Sequence, residues 1–199
     1  MIQKYVKNSH WDSIISIKVI ISPGCRSAGD ALREIDTLNL IRSDPFVFVD
    51  GNVIGNVNLK ELIAYHKLKR KEDMNCVMTM IFKRIRENSN TAAVTEDLTL
   101  VMNRSGQLFY FNDSLTDPIK LSGALFAEQE DLMIKYNLLD SGIAICTPEF
   151  LLQFSDNFDY QDIRKDFIQN EVANWTMGKH IFAYLLEVSV QAFIVEVVC

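Results

Sequence analysis

The fold is decided by the stretch SDPFVFVDGNVIGN, which runs from Ser43 to Asn56. Its apolar run, Phe46–Asp50, is bounded by Pro45 and Gly51 and ends on the carboxylate of Asp50. Such a run suits a strand buried on both faces of a parallel sheet. Open α/β sheets bind ligands in the crevice at the carboxyl ends of such strands. The turn at Asp50–Asn52 is therefore a candidate site, although it also suits a solvated strand-to-helix turn without chemistry.

Length, composition and charge limit the class of protein. The 199 residues suit about one large domain, and 48% hydrophobic with 23% charged residues is ordinary for a globular core. A net charge of −6 argues against a nucleic-acid surface, which needs clustered positive charge to displace counterions. The one basic cluster, His66–Lys71, ends a predicted helix, where the helix dipole favours cations.

Cysteine usage and the two termini favour the cytosol. The four cysteines are far apart and lack metal-pair spacing, which is typical of reduced thiols, and the N-terminus has no apolar signal core. The segment Ile181–Cys199 is apolar enough to raise the question of a membrane. Glu187, Gln191 and Glu196 interrupt it, and a charge at the bilayer centre costs roughly 2.5–3.5 kcal/mol. We interpret the segment as one long strand or two strands.

The first half of the chain alternates between strands and helices. The pattern predicts helices at Ile2–Ser9, at 28–37 behind a Ser27 cap with Asp30 placed as in a capping box, and from Asn58 to about Lys71. It predicts strands at Ile14–Ser22 and Met74–Phe82 besides the opening one. Such alternation indicates parallel βαβ units.

Hairpins in the second half make the predicted sheet mixed. We expect a loop at Arg84–Asp97 and a turn at Asp113–Pro118. The strands are predicted at Leu98–Met102, Gln107–Phe111, Leu132–Leu139 and Ile143–Cys146, and the helices at Glu149–Phe154 and Gln161–Val172. The expectation is a single α/β domain over residues 1–199, with a mixed, mainly parallel sheet flanked by helices.

The residues alone leave the chemistry of the crevice undecided. Asp50 and Asn52 offer oxygen ligands, but one carboxylate makes a weak magnesium site. The helix start at Ser27 presents backbone N–H groups to a phosphate, yet Asp30 would repel it. Neither GxxxxGK[ST] nor GxGxxG occurs, and no spacing suggests a catalytic triad. His66 shares a helix face with apolar residues and is interpreted as a core-edge histidine.

Five collinear blocks carry a resemblance to a known family. They are SAGDALREID (Ser27–Asp36), SDPFVFVDGNVIGNVNL (Ser43–Leu59), HKLKRKEDMNCVMTMIFK (His66–Lys83), YNLLDSGIAICTPE (Tyr136–Glu149) and DNFDYQDIRKDFI (Asp156–Ile168). Together they resemble the nucleotidyltransferase-like domain of the epsilon subunit of eukaryotic translation initiation factor 2B. The resemblance runs from Ile2 to about Ile181. It implies a Rossmann-like fold of the nucleotide-diphospho-sugar transferase type.

The resemblance also implies a degenerate crevice. Nucleotide-sugar pyrophosphorylases hold phosphates with a GxGTRLxPLT loop after the first strand, and this sequence contains no such loop. The resemblance implies that the chain begins after the first strand and helix of that fold. A sheet without its first strand would expose an edge, which predicts either low stability or a partner that covers the edge. Asn52 stands where those enzymes place a metal-binding aspartate. Asp30, Asp50, Gly51 and Asn52 then form a vestigial nucleotide crevice without metal, cofactor or catalytic residue.

The function that the resemblance implies is guanine-nucleotide exchange on initiation factor 2, with the exchange activity in a C-terminal domain outside this sequence. This domain would assemble with the gamma subunit and other subunits of initiation factor 2B and contact initiation factor 2. Direct binding to nucleic acid or to a membrane is not expected. Asn157 and Phe158 match a pair that the family associates with exchange. An exposed Phe158 would contact a partner, whereas an inward one would pin its own loop. A nucleotide-sugar pyrophosphorylase and a nucleotide-sensing domain remain the alternatives.

Overall fold

The computed structural model describes residues 2–9, 11, 14–85, 98–113, 118–186 and 192–194. Its helices are α1 (Ile2–Asn8), α2 (Ala28–Thr37), α3 (Leu59–Glu72), α4 (Gly123–Glu128), α5 (Glu149–Asp156), a π-helix (Ile163–Ile168) and α6 (Gln169–Ala173). Its strands are β1 (Phe46–Val49), β2 (Val53–Gly55), β3 (Cys76–Arg84), β4 (Thr99–Asn103), β5 (Leu108–Asn112), β6 (Leu132–Lys135), β7 (Leu138–Cys146), β8 (His180–Leu186) and β9 (Ala192–Ile194).

The central sheet has four strands in the order β1-β7-β3-β8. Strand β7 runs antiparallel to both β1 and β3, and β8 runs parallel to β3. Three of the four strands therefore share one direction, which confirms the mixed sheet, although β3–β8 is the one parallel pairing among the described strands. Two hydrophobic clusters cover its faces, one around Phe150 and Phe154 of α5 and the other around Leu62 of α3.

Strand β1 lies at an edge of the described sheet and its neighbour β7 is antiparallel, so its expected place within a parallel sheet was wrong. Its two faces do contact the core, since Phe46 and Phe48 pack on one hydrophobic cluster and Val47 on the other. Its register pairs Phe46 with Cys146 in the antiparallel strand β7. Phe46 and Phe48 pack on the ring of Phe150 with centroids 6.4 and 6.1 Å apart, whereas Val49 is exposed. An apolar run indicates burial, but it carries no information on which strand lies beside it.

The predicted strand at Ile14–Ser22 is also absent from the described sheets. The segment has no regular structure, and Ile14, Ile15, Ile20 and Ile21 are exposed. β-branched residues favour an extended chain, but a strand also needs a neighbour whose backbone groups complete its hydrogen bonds. None of the described strands pairs with this segment, so propensity alone did not produce a strand.

The second half confirms the hairpin and corrects two boundaries. Strands β4 and β5 pair antiparallel across Asn103–Gly106, and β6 joins β4 on its other side. The predicted strand Leu132–Leu139 is broken at Asn137, whose φ of 58° turns the chain, and β7 then runs unbroken to Cys146. The predicted helix Gln161–Val172 is a π-helix followed by the short helix α6.

Local signals placed α1, α2, α3 and α5 correctly. The Ser27 hydroxyl accepts from the Asp30 backbone N–H at 3.0 Å, as expected for a cap. The basic cluster His66–Lys71 occupies the last turns of α3, although the Asn58 side chain makes no cap hydrogen bond. Among the described residues no helix is long and apolar enough to cross a bilayer.

Three predictions lie wholly or partly outside the described residues. Most of the predicted loop Arg84–Asp97 and most of the turn Asp113–Pro118 fall there. In the predicted strand segment Ile181–Cys199, the described parts belong to β8 and β9.

His66 is a core residue, as the sequence predicted. Its side chain is buried, and Nδ1 lies 2.8 Å from the hydroxyl oxygen of Thr79 in β3. Nε2 has no hydrogen-bond partner in the described part of the chain. Burial lowers the pKa of His66 to about 4, so the imidazole is neutral at physiological pH.

Candidate functional site

The turn after β1 is held against strand β7. The backbone N–H of Asp50 donates to the carbonyl of Gly142 at 2.9 Å, which continues the β1–β7 pairing by one residue. Gly142 has φ +66°, and a Cβ there would lie 2.6 Å from Cγ2 of Val53 and 3.2 Å from Oδ2 of Asp50. Only glycine fits this conformation and this close approach without strain.

A bulge in β7 aims a second carboxylate at the same turn. The pairing of β7 with β3 shifts register between Met80 and Phe82, and the Ser141 hydroxyl donates to the carbonyl of Ile81 at 2.7 Å. The N–H of Gly142 donates to Oδ1 of Asp140 at 2.9 Å. Bulges commonly redirect side chains in this way, and here the bulge orients Asp140.

Arg164, in the first turn of the π-helix, bridges the two carboxylates. Its Nη2 lies 2.7 Å from Oδ2 of Asp50, and its Nε lies 2.8 Å from Oδ2 of Asp140. The side chain of Asp140 is only 4% exposed, against 25% for Asp50 and 30% for Arg164. A cation of the chain therefore occupies the position between the carboxylates where the sequence predicted a ligand crevice.

The pKa shifts of this group follow from burial and from the ion pairs. Burial raises the pKa of Asp140, and the Arg164 guanidinium opposes that shift. Burial disfavours the charge on Arg164, but Asp140 and Asp50 outweigh this effect and raise its pKa. The guanidinium thus stays protonated and supplies the counter-charge that a buried carboxylate needs.

Little space remains beside the ion pairs. A cavity of about 10 Å³ lies beside the ion pairs, between residues such as Phe48, Met80 and Ile163, and it has room for about one water molecule. Gly51 is exposed and Asn52 half-buried at the tip of the turn. Within the described ranges, no group of three or more His, Cys, Asp or Glu side chains is placed to hold a metal ion.

Asp30 belongs to a different network. Its carboxylate pairs with Arg33 at 2.9 Å and accepts from the backbone N–H of Arg26 at 3.0 Å. The Arg26 N–H, followed by the Arg33 guanidinium, lowers the pKa of Asp30. Of the predicted crevice residues, the structure thus brings Asp50, Gly51 and Asn52 together. Asp30 does not line the small cavity beside Asp50.

Asn157 and Phe158 lie in the turn that follows α5. The N–H of Asn157 closes the helix on the carbonyl of Gln153 at 3.1 Å, and its side-chain oxygen accepts from the N–H of Asp159 at 3.1 Å. The Phe158 side chain is 73% exposed, so it does not pack inward. The guanidinium carbon of Arg33 lies 5.4 Å from the centre of its ring.

Sequence reasoning missed Asp140 and Arg164. A signal for Asp140 was present, since a carboxylate within the apolar run LLDSGIAIC requires a cation or several donors if that run is a buried strand. No comparable signal marked Arg164, because it lies in a charged stretch whose buried side depends on the π-helix.

A larger cavity lies away from these residues. Its volume is about 300 Å³, and it lies between β5, α4 and α6, with Phe109 and Trp175 among its lining residues. Their rings meet edge to face with centroids 5.5 Å apart. Neither Asp50 nor Phe158 lines it, so it is separate from both candidate sites.

The fold resembles that of a known crystal structure. HddC from Yersinia pseudotuberculosis superposes with a TM-score of 0.59 over 97% of this chain and 66% of that chain, at 12% sequence identity. This likeness supports a Rossmann-like fold of the nucleotidyltransferase type, as the resemblance in sequence implied.

Sequence comparison gives a closer relationship. No family model matches the chain. Over 190 residues it is 34% identical to translation initiation factor eIF2B subunit epsilon of Dictyostelium discoideum, a match that covers 94% of this chain and 27% of that protein. The corresponding subunit of Schizosaccharomyces pombe is 35% identical over 190 residues, with 92% and 28% covered. The chain thus spans about a quarter of the length of these curated relatives, and it belongs to the family of the epsilon subunit of translation initiation factor eIF2B.

Proposed function

We propose that this chain is a non-catalytic assembly and contact module of eIF2B, the complex that exchanges GDP for GTP on initiation factor 2. Its partners are the gamma subunit, the other subunits of the complex and initiation factor 2, and its compartment is the cytosol. The exchange activity itself belongs to the C-terminal region of the longer relatives, outside the part that matches this chain. Sequence similarity to two epsilon subunits over more than nine-tenths of the chain supports this role.

The observation that carries the non-catalytic part is the position of Arg164. A nucleotidyltransferase needs free carboxylate oxygens for magnesium, which in turn binds the substrate phosphates. Here Oδ2 of Asp50 and Oδ2 of Asp140 both accept hydrogen bonds from one guanidinium. A fixed cation at that point repels magnesium and neutralises the charge that would attract it. The ion pairs of the turn thereby connect β1, β7 and the π-helix.

The contact part is supported by the exposure of Phe158. A large aromatic side chain on a tight turn is the kind of residue that anchors a protein interface. Asp156 and Asp159, both exposed, flank it in the chain. These carboxylates favour a partner whose apolar pocket has a basic rim, because complementary charges increase the rate and the specificity of association.

One observation favours a second candidate, a nucleotide-sugar pyrophosphorylase. The fold is of the nucleotidyltransferase type, and Asp50 lies at the carboxyl end of a strand, where α/β enzymes bind ligands. A nucleotide-sensing domain without catalysis would need the same crevice. Both alternatives require that a nucleotide displace Arg164 from Asp50 and Asp140.

The test is a pull-down of the purified chain with the gamma subunit and with initiation factor 2, beside calorimetric titrations with GTP, GDP and ATP. We expect retention of at least one protein and no heat from the nucleotides. The Asn157→Ala/Phe158→Ala variant should lose initiation factor 2 with an unchanged far-UV circular dichroism spectrum, and Lys165→Met serves as a control on the neighbouring surface. Turnover of a nucleoside triphosphate with a sugar phosphate and magnesium would overturn the proposal in favour of the enzyme.

A further inference from the structure

The turn that carries Phe158 is tied to helix α2 on both sides. Nη1 of Arg33 donates to the carbonyl of Phe154, before Phe158, and to the carbonyl of Tyr160, after it, both at 3.1 Å. The first carbonyl belongs to the last turn of α5 and the second to the residue that follows Asp159. One planar guanidinium nitrogen therefore sets the distance between them, which an ammonium group does not reproduce with the same geometry.

The same guanidinium also supports the aromatic ring. Its carbon lies 5.4 Å from the ring centre of Phe158, within the range of a cation–π contact. Nη2 pairs with Asp30 at 2.9 Å, which orients the fork from the opposite side. The Arg33 side chain is only 12% exposed, whereas Phe158 is 73% exposed. Arg33 thus lies beneath the turn and presents the ring without itself lying on the surface.

The start of α2 forms a second attachment. The N–H of Gly29 donates to the carbonyl of Gln161 at 2.9 Å. A Cβ at Gly29 would lie 2.0 Å from the carbonyl oxygen of Tyr160, so α2 contacts the turn at a distance that only glycine permits. The Ser27 hydroxyl donates to Oε1 of Gln161 at 2.5 Å, and Nε2 of Gln161 donates to the carbonyl of Phe158 at 2.7 Å.

From these contacts we propose that Arg33 is a positioning residue for the partner contact at Phe158, with Gly29 as the close-packing point that seats the turn on α2. The inference rests on the proposed function, because it takes Phe158 as the contact for initiation factor 2. Its physical basis is preorganisation, since a ring that is already held in one position loses little conformational entropy on binding. Arg33 acts through Phe158 and makes no partner contact of its own.

The test combines binding with a probe of the ring. The 199-residue chain is prepared with 4-fluorophenylalanine at Phe158 for ¹⁹F NMR, and unlabelled chains are titrated with initiation factor 2. The variants are Arg33→Met, Arg33→Lys, Gly29→Ala, Phe158→Ala and Arg33→Met/Phe158→Ala. Arg42→Met, at an exposed arginine, controls for the loss of one positive charge.

We expect Arg33→Met to raise the Kd about tenfold, which equals about 1.4 kcal/mol, and to narrow the ¹⁹F line towards that of a freely rotating ring. The Kd and the ¹⁹F line width of Arg33→Lys should lie between those of Arg33→Met and those of the unchanged chain. The double variant should bind no more weakly than Phe158→Ala alone, because a positioning residue has nothing left to position. A general loss of stability would not produce this non-additivity.

Gly29→Ala keeps the test decisive if Arg33→Met does not fold. Alanine is a better helix former than glycine, so weaker binding by this variant reports the displaced turn rather than a weaker α2. An unchanged Kd and ¹⁹F line in both Arg33→Met and Gly29→Ala would overturn the proposal, as would fully additive losses in the double variant.

If Phe158→Ala binds initiation factor 2 as tightly as the unchanged chain, the proposed contact is wrong. The ¹⁹F line width in Arg33→Met is then the test of the positioning role. A narrowed line supports that role, and an unchanged line overturns it.

Discussion

Nη2 of Arg164 lies 2.7 Å from Oδ2 of Asp50, although 114 residues separate the two along the chain. The contact joins the turn after β1 to the first turn of the π-helix. Because Nε of the same guanidinium holds Asp140, three charged groups depend on one another, and none of them has the bulk solvation that it would have in the unfolded chain. This arrangement makes a clear prediction about stability.

Arg164→Met should lower the free energy of unfolding by about 3 kcal/mol, since it leaves Asp140 buried without its cation. The value is at the low end for a broken buried pair because Arg164 is 30% exposed. Urea unfolding monitored by circular dichroism measures the loss. Lys165→Met, at the exposed neighbour, is the control and should change little. Adding Asp140→Asn to Arg164→Met should restore part of the stability, because it removes the buried charge that has lost its cation. Equal losses of unfolding free energy in Arg164→Met and Lys165→Met would contradict the role of the ion pairs.

Gly142→Ala should cost about 1–3 kcal/mol, because alanine resists φ +66° and its Cβ would lie 2.6 Å from Val53. For a chain of this length, 1 kcal/mol lowers Tm by about 2–4 °C, which thermal unfolding detects. Gly51→Ala is the matched control, since a Cβ at Gly51 meets no atom within 4 Å. The prediction fails if the two substitutions lower Tm equally.

His66 should make the chain less stable in mild acid. Its pKa is about 4 in the folded chain, against 6.5 as the ordinary value, so between these values the unfolded chain binds the extra proton. The free energy of unfolding therefore falls as pH falls from 6.5 towards 4, with a slope of at most about 1.4 kcal/mol per pH unit from this group. Urea titrations at several pH values should show a shallower fall for His66→Gln. Parallel curves for both chains would refute this prediction.

Phe154→Ala and Phe158→Ala should differ sharply in stability. Phe154 is fully buried among Phe150, Tyr160 and Phe167, so its truncation should cost about 3–5 kcal/mol. Phe158 is exposed and contacts the guanidinium of Arg33, so its truncation should cost no more than about 1 kcal/mol. Chemical denaturation of the two variants makes the comparison. A large loss for Phe158→Ala would assign that ring to the structure of its own turn.

The exposed isoleucines of residues 14–22 should promote self-association. Ile15→Lys/Ile21→Lys should reduce light scattering at high protein concentration while Tm stays the same, because charges interrupt an apolar β-branched segment. Ile2→Lys, on the exposed face of α1, adds a charge outside the segment and should reduce scattering less. A lower Tm for the double variant would instead mean that the segment packs on the folded chain.

Local patterns explain which elements could be predicted. Ser27 and Asp30 form a cap between neighbours in sequence, and the hairpin β4–β5 closes over Asn103–Gly106, so both signals lie within a few residues. Ile14–Ser22 failed because strand formation depends on a partner at long range. The position of β1 at a sheet edge was missed for the same reason, since its partners in β7 run from Ile143, paired with Val49, to Cys146, paired with Phe46, far along the chain.

The sequence by itself determined the mixed α/β class, the helices that carry their own caps and apolar faces, and the turn at Asp50, since each depends on short-range spacing. The tertiary structure decided what that turn does. It placed Asp140 and Arg164 beside Asp50 and left Phe158 exposed above Arg33. Charges over such distances in sequence interact only after the sheet and the helices have packed, because screening by water makes their attraction negligible in the unfolded chain.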